Sequence, residues 1–151
     1  MKTIAVTGAT GQFGAIALAK LQEKGANAIA LVRNPAKISG AEARAFDYSK
    51  VEGQVEALQG VDTLLLVSSS EVGQREVQHK NVIESAKKAG VRHIIYTSLL
   101  GATSGNTVGL LADEHIATEQ ALKASGLTYT ILRNGWYTEN YTASVPAALA
   151  L

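Results

Sequence analysis

The stretch that most constrains this chain lies at its N-terminus, Thr3-Ile4-Ala5-Val6-Thr7-Gly8-Ala9-Thr10-Gly11-Gln12-Phe13-Gly14. A β-rich run enters a glycine turn, and a helical pattern leaves it. Phe13, Ile16, Ala17, Lys20 and Leu21 recur at helical spacing and predict one face of that helix. Gly8 permits a tight turn after the strand. Gly11 lets backbone approach a pyrophosphate without a Cβ in the way, and Gly14 lets the helix pack close to the strand. The helix N-terminus then presents free N–H groups and a positive dipole end to phosphates. The expected cofactor-binding loop is therefore Thr7, Gly8, Ala9, Thr10, Gly11, Gln12, Phe13 and Gly14. The spacing is G-x-x-G-x-x-G rather than G-x-G-x-x-G, and glycine turns also join strands to helices without a ligand. The strand-loop-helix context favours the dinucleotide site.

Strand-like and helix-like segments alternate along the rest of the chain. Strands are expected at Thr3–Thr7, Ala28–Val32, Ala43–Phe46, Thr63–Val67, Arg92–Thr97 and Thr128–Leu132. Helices are expected at Gln12–Lys24, Val51–Leu58, Gln74–Ala89 and Leu110–Ala124, with Gly25, Gly60, Gly90 and Gly126 closing them. Apolar strands between amphipathic helices predict a parallel sheet covered on both faces. The stretch Gly101 to Gly109 is the one long loop candidate. Ser144 to Leu151 reads as an apolar helix just begun, with nothing to bury it. That pattern suggests a shortened chain lacking a second lobe, and an uncovered apolar edge that invites self-association.

Composition removes several alternatives. The 14 Lys and Arg nearly balance the 13 Asp and Glu, so no basic field is available to draw in nucleic acid. Without any cysteine, disulfides, thiolate zinc sites and cysteine nucleophiles are excluded. No histidine pair has metal-ligand spacing, so no metal is expected. No segment approaches membrane-spanning length, and the N-terminal apolar run is too short for a secretion signal. A cytoplasmic protein is the default expectation.

Cofactor choice is expected at the end of the second strand. NAD sites carry a carboxylate there for the ribose 2′-OH; NADP sites carry arginine for the 2′-phosphate. This chain has Arg33, 19 residues after Gly14, with Lys37 one turn on and no carboxylate in Leu31-Val32-Arg33-Asn34. NADPH is therefore the expected cofactor. Asp47 follows the third strand, where it can accept from the adenine amine or serve as a turn cap. Ser68, Ser69 and Ser70 end the fourth strand at the ligand edge of the sheet, as cofactor neighbours or as turn caps. His115 shares a helix face with Leu111 and Leu122. His79 and His93 read as structural or solvated.

The segments Thr7-Gly8-Ala9-Thr10-Gly11-Gln12, Leu31-Val32-Arg33-Asn34-Pro35, Ser68-Ser69-Ser70-Glu71-Val72-Gly73-Gln74-Arg75, Tyr96-Thr97-Ser98-Leu99-Leu100 and Leu132-Arg133-Asn134-Gly135-Trp136-Tyr137-Thr138-Glu139-Asn140-Tyr141 occur in order. Together they resemble the N-terminal half of the bacterial NADPH-dependent quinone oxidoreductases of the NmrA-like group, atypical short-chain dehydrogenases. Members of that group are roughly twice this length, and their remaining part closes over the substrate. The resemblance implies that Asn134, Trp136 and Tyr137 border the nicotinamide and a quinone. Ser98 stands where the usual short-chain enzymes carry their serine. Their Tyr-x-x-x-Lys relay is absent: the corresponding positions hold Leu111 and His115. A quinone is electrophilic enough to need no tyrosine acid.

These readings converge on one domain over residues 1–151 with a doubly wound parallel α/β (Rossmann) sheet of six strands, order 3-2-1-4-5-6. The expected activity is hydride transfer from NADPH to a quinone. The alternatives are a non-catalytic NADP-sensing regulator and a shortened scaffold without turnover.

Overall fold

The structure is a computed structural model that describes residues 2–102, 109–142 and 145–149. Residues 103–108 of the long-loop candidate, residue 143, and residues 144, 150 and 151 of the expected terminal helix lie outside the described residues.

Six strands form one sheet: β1 (Thr3–Thr7), β2 (Asn27–Val32), β3 (Glu42–Ala45), β4 (Thr63–Leu66), β5 (His93–Leu99) and β6 (Thr128–Asn134). Their order is β3-β2-β1-β4-β5-β6, and every pairing is parallel. The helices are α1 (Gln12–Glu23), α2 (Gln54–Ala57), α3 (Arg75–Ala89), α4 (Leu110–Ala124), α5 (Glu139–Thr142) and α6 (Val145–Leu149). A 3-10 turn at Pro35–Lys37 follows β2. Parallel register brings Val6 level with Ala30 and with Leu65, so β1, β2 and β4 end together. Strand order reverses between β1 and β4, which opens a crevice at the carboxyl edge.

Successive residues of a strand face opposite sides, and two cores result. Ala5, Ile29, Leu31, Leu64, Leu66, Ile94 and Tyr96 pack with Leu58, Val82, Ile83 and Leu122 from the α2, α3 and α4 region. Val6, Ala28, Ala30, Val32 and Leu65 pack with Leu18, Phe13, Ala17 and Leu21 of α1. Coverage is less complete than the apolar strands predict. Beyond β4 the α1 side thins out, and the edge strand β6 leaves Tyr129 and Leu132 exposed.

Several boundaries shift for identifiable reasons. The second helix is one turn rather than Val51–Leu58, because Gly53 sits at φ +82, a left-handed residue that a helix cannot run through. The buried side of α1 is Gly14 and Leu18, flanked by Phe13, Ala17 and Leu21; Ile16, expected on that face, is 62% exposed. Strand β6 continues two residues past Leu132, which places Arg133 and Asn134 in register with Ser98 and Leu99. The terminal apolar segment is helical over Val145–Leu149.

Candidate functional site

The glycine turn closes against α1. Gly8 has φ +58, and its carbonyl accepts from Gly11 N–H at 2.9 Å. A Cβ on Gly14 would stand 2.2 Å from that carbonyl oxygen, so glycine is required for the helix to approach this closely. Gly11 is the N-cap and offers no side-chain cap to the first turn. The N–H groups of that turn, which no helix can satisfy internally, are thus left for a ligand.

A cleft of about 330 Å³ lies against this turn, lined by Gly8, Thr10, Gly11, Gln12, Phe13, Gly14, Arg33, Asp47, Tyr48 and the segment Val67 to Glu71. Sequence reasoning thus names most of the lining. Thr7 and Ala9 are buried behind the loop and do not line the cleft. The Thr7 hydroxyl donates to Leu65 C=O and accepts from Val67 N–H, tying β1 to the end of β4. Ala9 packs in the α1-side core. Arg33 lines the cleft with an exposed side chain. Lys37, at the end of the 3-10 turn, is exposed and outside the lining. Asp47 lies just past β3. Its Oδ1 caps the turn by accepting from Ser49 N–H at 2.9 Å, and the residue lines the cleft. A carboxylate retains acceptor sites on its second oxygen.

The segment after β4 is held by side chains from four directions. Ser68 N–H donates to Thr97 Oγ1, Ser69 N–H to His79 Nε2, and the Tyr48 phenol to Val67 C=O. Arg75 Nε donates to Ser69 C=O, while its guanidinium pairs at 2.6 Å with Glu114. The other Glu114 oxygen accepts from Gly73 and Arg75 N–H. His79 Nδ1 lies 3.0 Å from Thr118 Oγ1, whose own proton goes to Glu114 C=O. One tautomer satisfies both ends: Nδ1–H donates and Nε2 accepts. Burial and the Arg75 charge hold His79 neutral, with its pKa lowered to about 3. The structural reading of His79 gains a specific role, anchoring the cleft wall. His93, on β5, is hydrogen-bonded to Thr130.

Within that wall the Ser69 hydroxyl is buried and has no hydrogen-bond partner among the described residues. An orphaned hydroxyl at the cleft, a glycine cradle that a Cβ would fill and an uncapped helix terminus all fit a phosphate-bearing ligand. A group of three or more His, Cys, Asp or Glu able to hold a metal does not occur among the described residues. Nor is any helix among them long and apolar enough to cross a membrane.

A second cavity of about 400 Å³ shares Phe13 and Val67 to Ser70 with the first, and adds Thr97, Ser98, Leu99, Leu111, His115, Asn134, Gly135, Trp136, Tyr137 and Asn140. All five candidate catalytic residues meet here. Asn134 Nδ2 donates to the Tyr137 hydroxyl at 2.8 Å, and Tyr137 stacks on Phe13 with centroids 6.2 Å apart. The Ser98 hydroxyl is committed elsewhere: it donates to Glu119 Oε1 at 2.7 Å. Glu119 also accepts two bonds from Arg133, and these hold its carboxyl below the ordinary range. His115 Nδ1 meets the Tyr96 phenol at 2.6 Å. Sequence reasoning named neither Arg75–Glu114 nor Glu119–Arg133. The one sequence hint was polar His115 and Glu119 at helical spacing on the face that also carries Leu122.

Comparison with known proteins agrees with this geometry. The chain is 54% identical over 153 residues to quinone oxidoreductase 2 of Escherichia coli strain K12, covering 97% of this chain and 53% of that protein. The solved structure of the NADPH-dependent quinone oxidoreductase QOR2 from Escherichia coli, complexed with NADPH, superposes with a TM-score of 0.88, covering 97% of this chain and 54% of that one. An NmrA-like family domain-containing oxidoreductase of Aspergillus flavus, flvB, is 38% identical over 107 residues, covering 68% of this chain and 35% of that protein. The chain thus spans about half the length, or less, of these relatives. The NAD(P)H-binding family pattern matches residues 8–148, from the glycine that opens the cleft to the last described helix, and the chain belongs to that family.

Proposed function

We propose that this chain is the nucleotide-binding part of an NADPH-dependent quinone reductase. The observation that carries the reading is the shared wall, Phe13 and Val67 to Ser70, between the glycine-loop cleft and the cavity lined by Asn134, Trp136 and Tyr137. A dinucleotide lying along the first has its nicotinamide end directed at the second. The α1 terminus and glycine turn would hold the pyrophosphate, Arg33 the 2′-phosphate, and Asp47 the adenine amine. When bound, NADPH supplies a hydride. The protein's part is to orient the two rings and keep water from between them, with Phe13, Trp136 and Tyr137 as the apolar surfaces. The identity of 54% to the quinone oxidoreductase of Escherichia coli supports the substrate class.

One observation favours the non-catalytic sensor as a second reading. Ser98 gives its proton to Glu119, and Leu111 and His115 stand where a Tyr-Lys relay would be. Titration with NADPH and NADH, followed by NADPH oxidation with a simple benzoquinone, separates the two. Saturable NADPH binding with quinone-dependent oxidation is expected. Tight NADPH binding without any quinone-dependent oxidation would leave the sensor.

A further inference from the structure

Of the polar side chains around the second cavity, several have a proton already committed within the protein. Ser98 donates to Glu119 and the Ser68 hydroxyl to Ser69 C=O, while Asn134 commits one of its two amide protons to Tyr137. His115 differs. Its Nδ1 is paired with Tyr96, whereas its Nε2 makes no hydrogen bond to another described residue. The imidazole comes from α4, is 6% exposed, and lines the cavity beside Leu111 and Ser98. A phenol is a better donor than a neutral imidazole, and an imidazole nitrogen a better acceptor than a phenol oxygen. The Tyr96 proton therefore points at Nδ1, and the ring proton sits on Nε2.

We propose that His115 Nε2–H is the hydrogen-bond donor that receives a carbonyl oxygen of the quinone, with Tyr96 as the positioning residue that fixes this tautomer. The inference rests on the quinone reading. Hydride addition to a quinone yields a hydroquinone monoanion, and a proton from water completes the hydroquinone. The charge that develops on oxygen is what a fixed N–H donor stabilises. His115 acts as a neutral donor and not as an acid. The groups around it are Tyr96 from β5, Arg75 from α3 and Glu119 from its own helix; burial first, then Arg75, lower its pKa to about 4 against the opposing pull of Glu119.

Trp136 is the only tryptophan and lines this cavity, so its fluorescence reports quinone binding. The probe is duroquinone, titrated into the whole chain saturated with NADP⁺, with free N-acetyltryptophanamide as the collisional control. Wild type is expected to show saturable quenching. His115→Leu is expected to weaken it about five- to tenfold, the worth of one neutral hydrogen bond. His115→Gln, which keeps a donor, should stay within about twofold of wild type by the same reasoning. In ¹⁵N spectra of wild type, Nδ1 should be pyridine-like, Nε2 pyrrole-like, and the Nε2 signal should move on adding duroquinone. Tyr96→Phe should blur this into a tautomer mixture, an effect that a merely structural phenol would not produce. Saturable wild-type binding with unchanged affinity in His115→Leu, or the reverse tautomer in wild type, overturns the role of His115 alone. Absence of saturable binding to wild type overturns the quinone reading beneath it. Should His115→Leu fail to fold, the wild-type spectra decide.

Discussion

Lowering the pH from 7.5 to 5.0 should destabilise this protein well before its carboxylates titrate. The cause is two buried imidazoles. His79 is 0% exposed and held neutral, its pKa lowered to about 3; His115 is 6% exposed, its pKa lowered to about 4. Unfolding returns both to the ordinary value near 6.5. Between the folded and unfolded values the unfolded chain binds more protons, so stability is complete above about pH 6.5 and falls as pH drops below it. Each histidine contributes a slope approaching roughly 1.4 kcal/mol per pH unit, and the two together should remove about 4 kcal/mol by pH 5.0. That is a large share of the roughly 5–15 kcal/mol that holds a domain together. Urea unfolding followed by circular dichroism at pH 7.5, 6.5, 5.5 and 5.0 measures it. His79→Gln should cut the loss to about 2 kcal/mol, since one titrating group remains. The site should feel the change too, because a protonated His79 Nε2 can no longer accept from Ser69 N–H at the cleft wall. An unfolding free energy flat to within about 1 kcal/mol across this range would refute the reasoning, for it would mean that the folded protein protonates these rings as readily as the unfolded chain does.

Three further outcomes are expected. Arg33→Ala should weaken NADPH binding about tenfold, the low end for a charge-assisted pair at an exposed side chain, and leave NADH nearly unchanged in parallel titrations; equal losses would misplace the ribose. Gly14→Ala puts a Cβ 2.2 Å from Gly8 C=O, a backbone atom that must move. It should cost about 1–3 kcal/mol or more in denaturant unfolding, and NADPH affinity with it; an unchanged midpoint would show that α1 can slide away freely. Arg75→Met leaves the buried Glu114 carboxylate without its cation and should cost about 3–5 kcal/mol, whereas the double replacement Arg75→Met with Glu114→Leu should recover most of that, measured by the same unfolding assay.

The sequence by itself determines the strand-loop-helix at Gly8 to Gly14, the alternation of strands and helices, the strand order and most of the cleft lining. These are legible because each depends on neighbours a few residues apart: a glycine turn, an apolar run, a helical period. Arg33 and Asp47 are legible for a related reason, since the residue at the end of a given strand occupies a predictable place at the sheet edge. The short α2 and the burial of Leu18 in place of Ile16 are finer matters of phase, set by Gly53 and by how closely Gly14 brings α1 to the sheet. Only the tertiary structure decided what holds the site. Arg75 finds Glu114 across 39 positions, His79 finds Thr118 across 39, and Ser98 finds Glu119 across 21. Such pairs leave no periodic trace, because they exist only once α3 and α4 have packed side by side on β4 and β5. There, away from water, each buried polar group must find a partner. Among the described residues the exceptions are Gln78 Oε1 and Ser69 Oγ, and the second, at the cleft wall, is where the folded protein keeps capacity for a ligand.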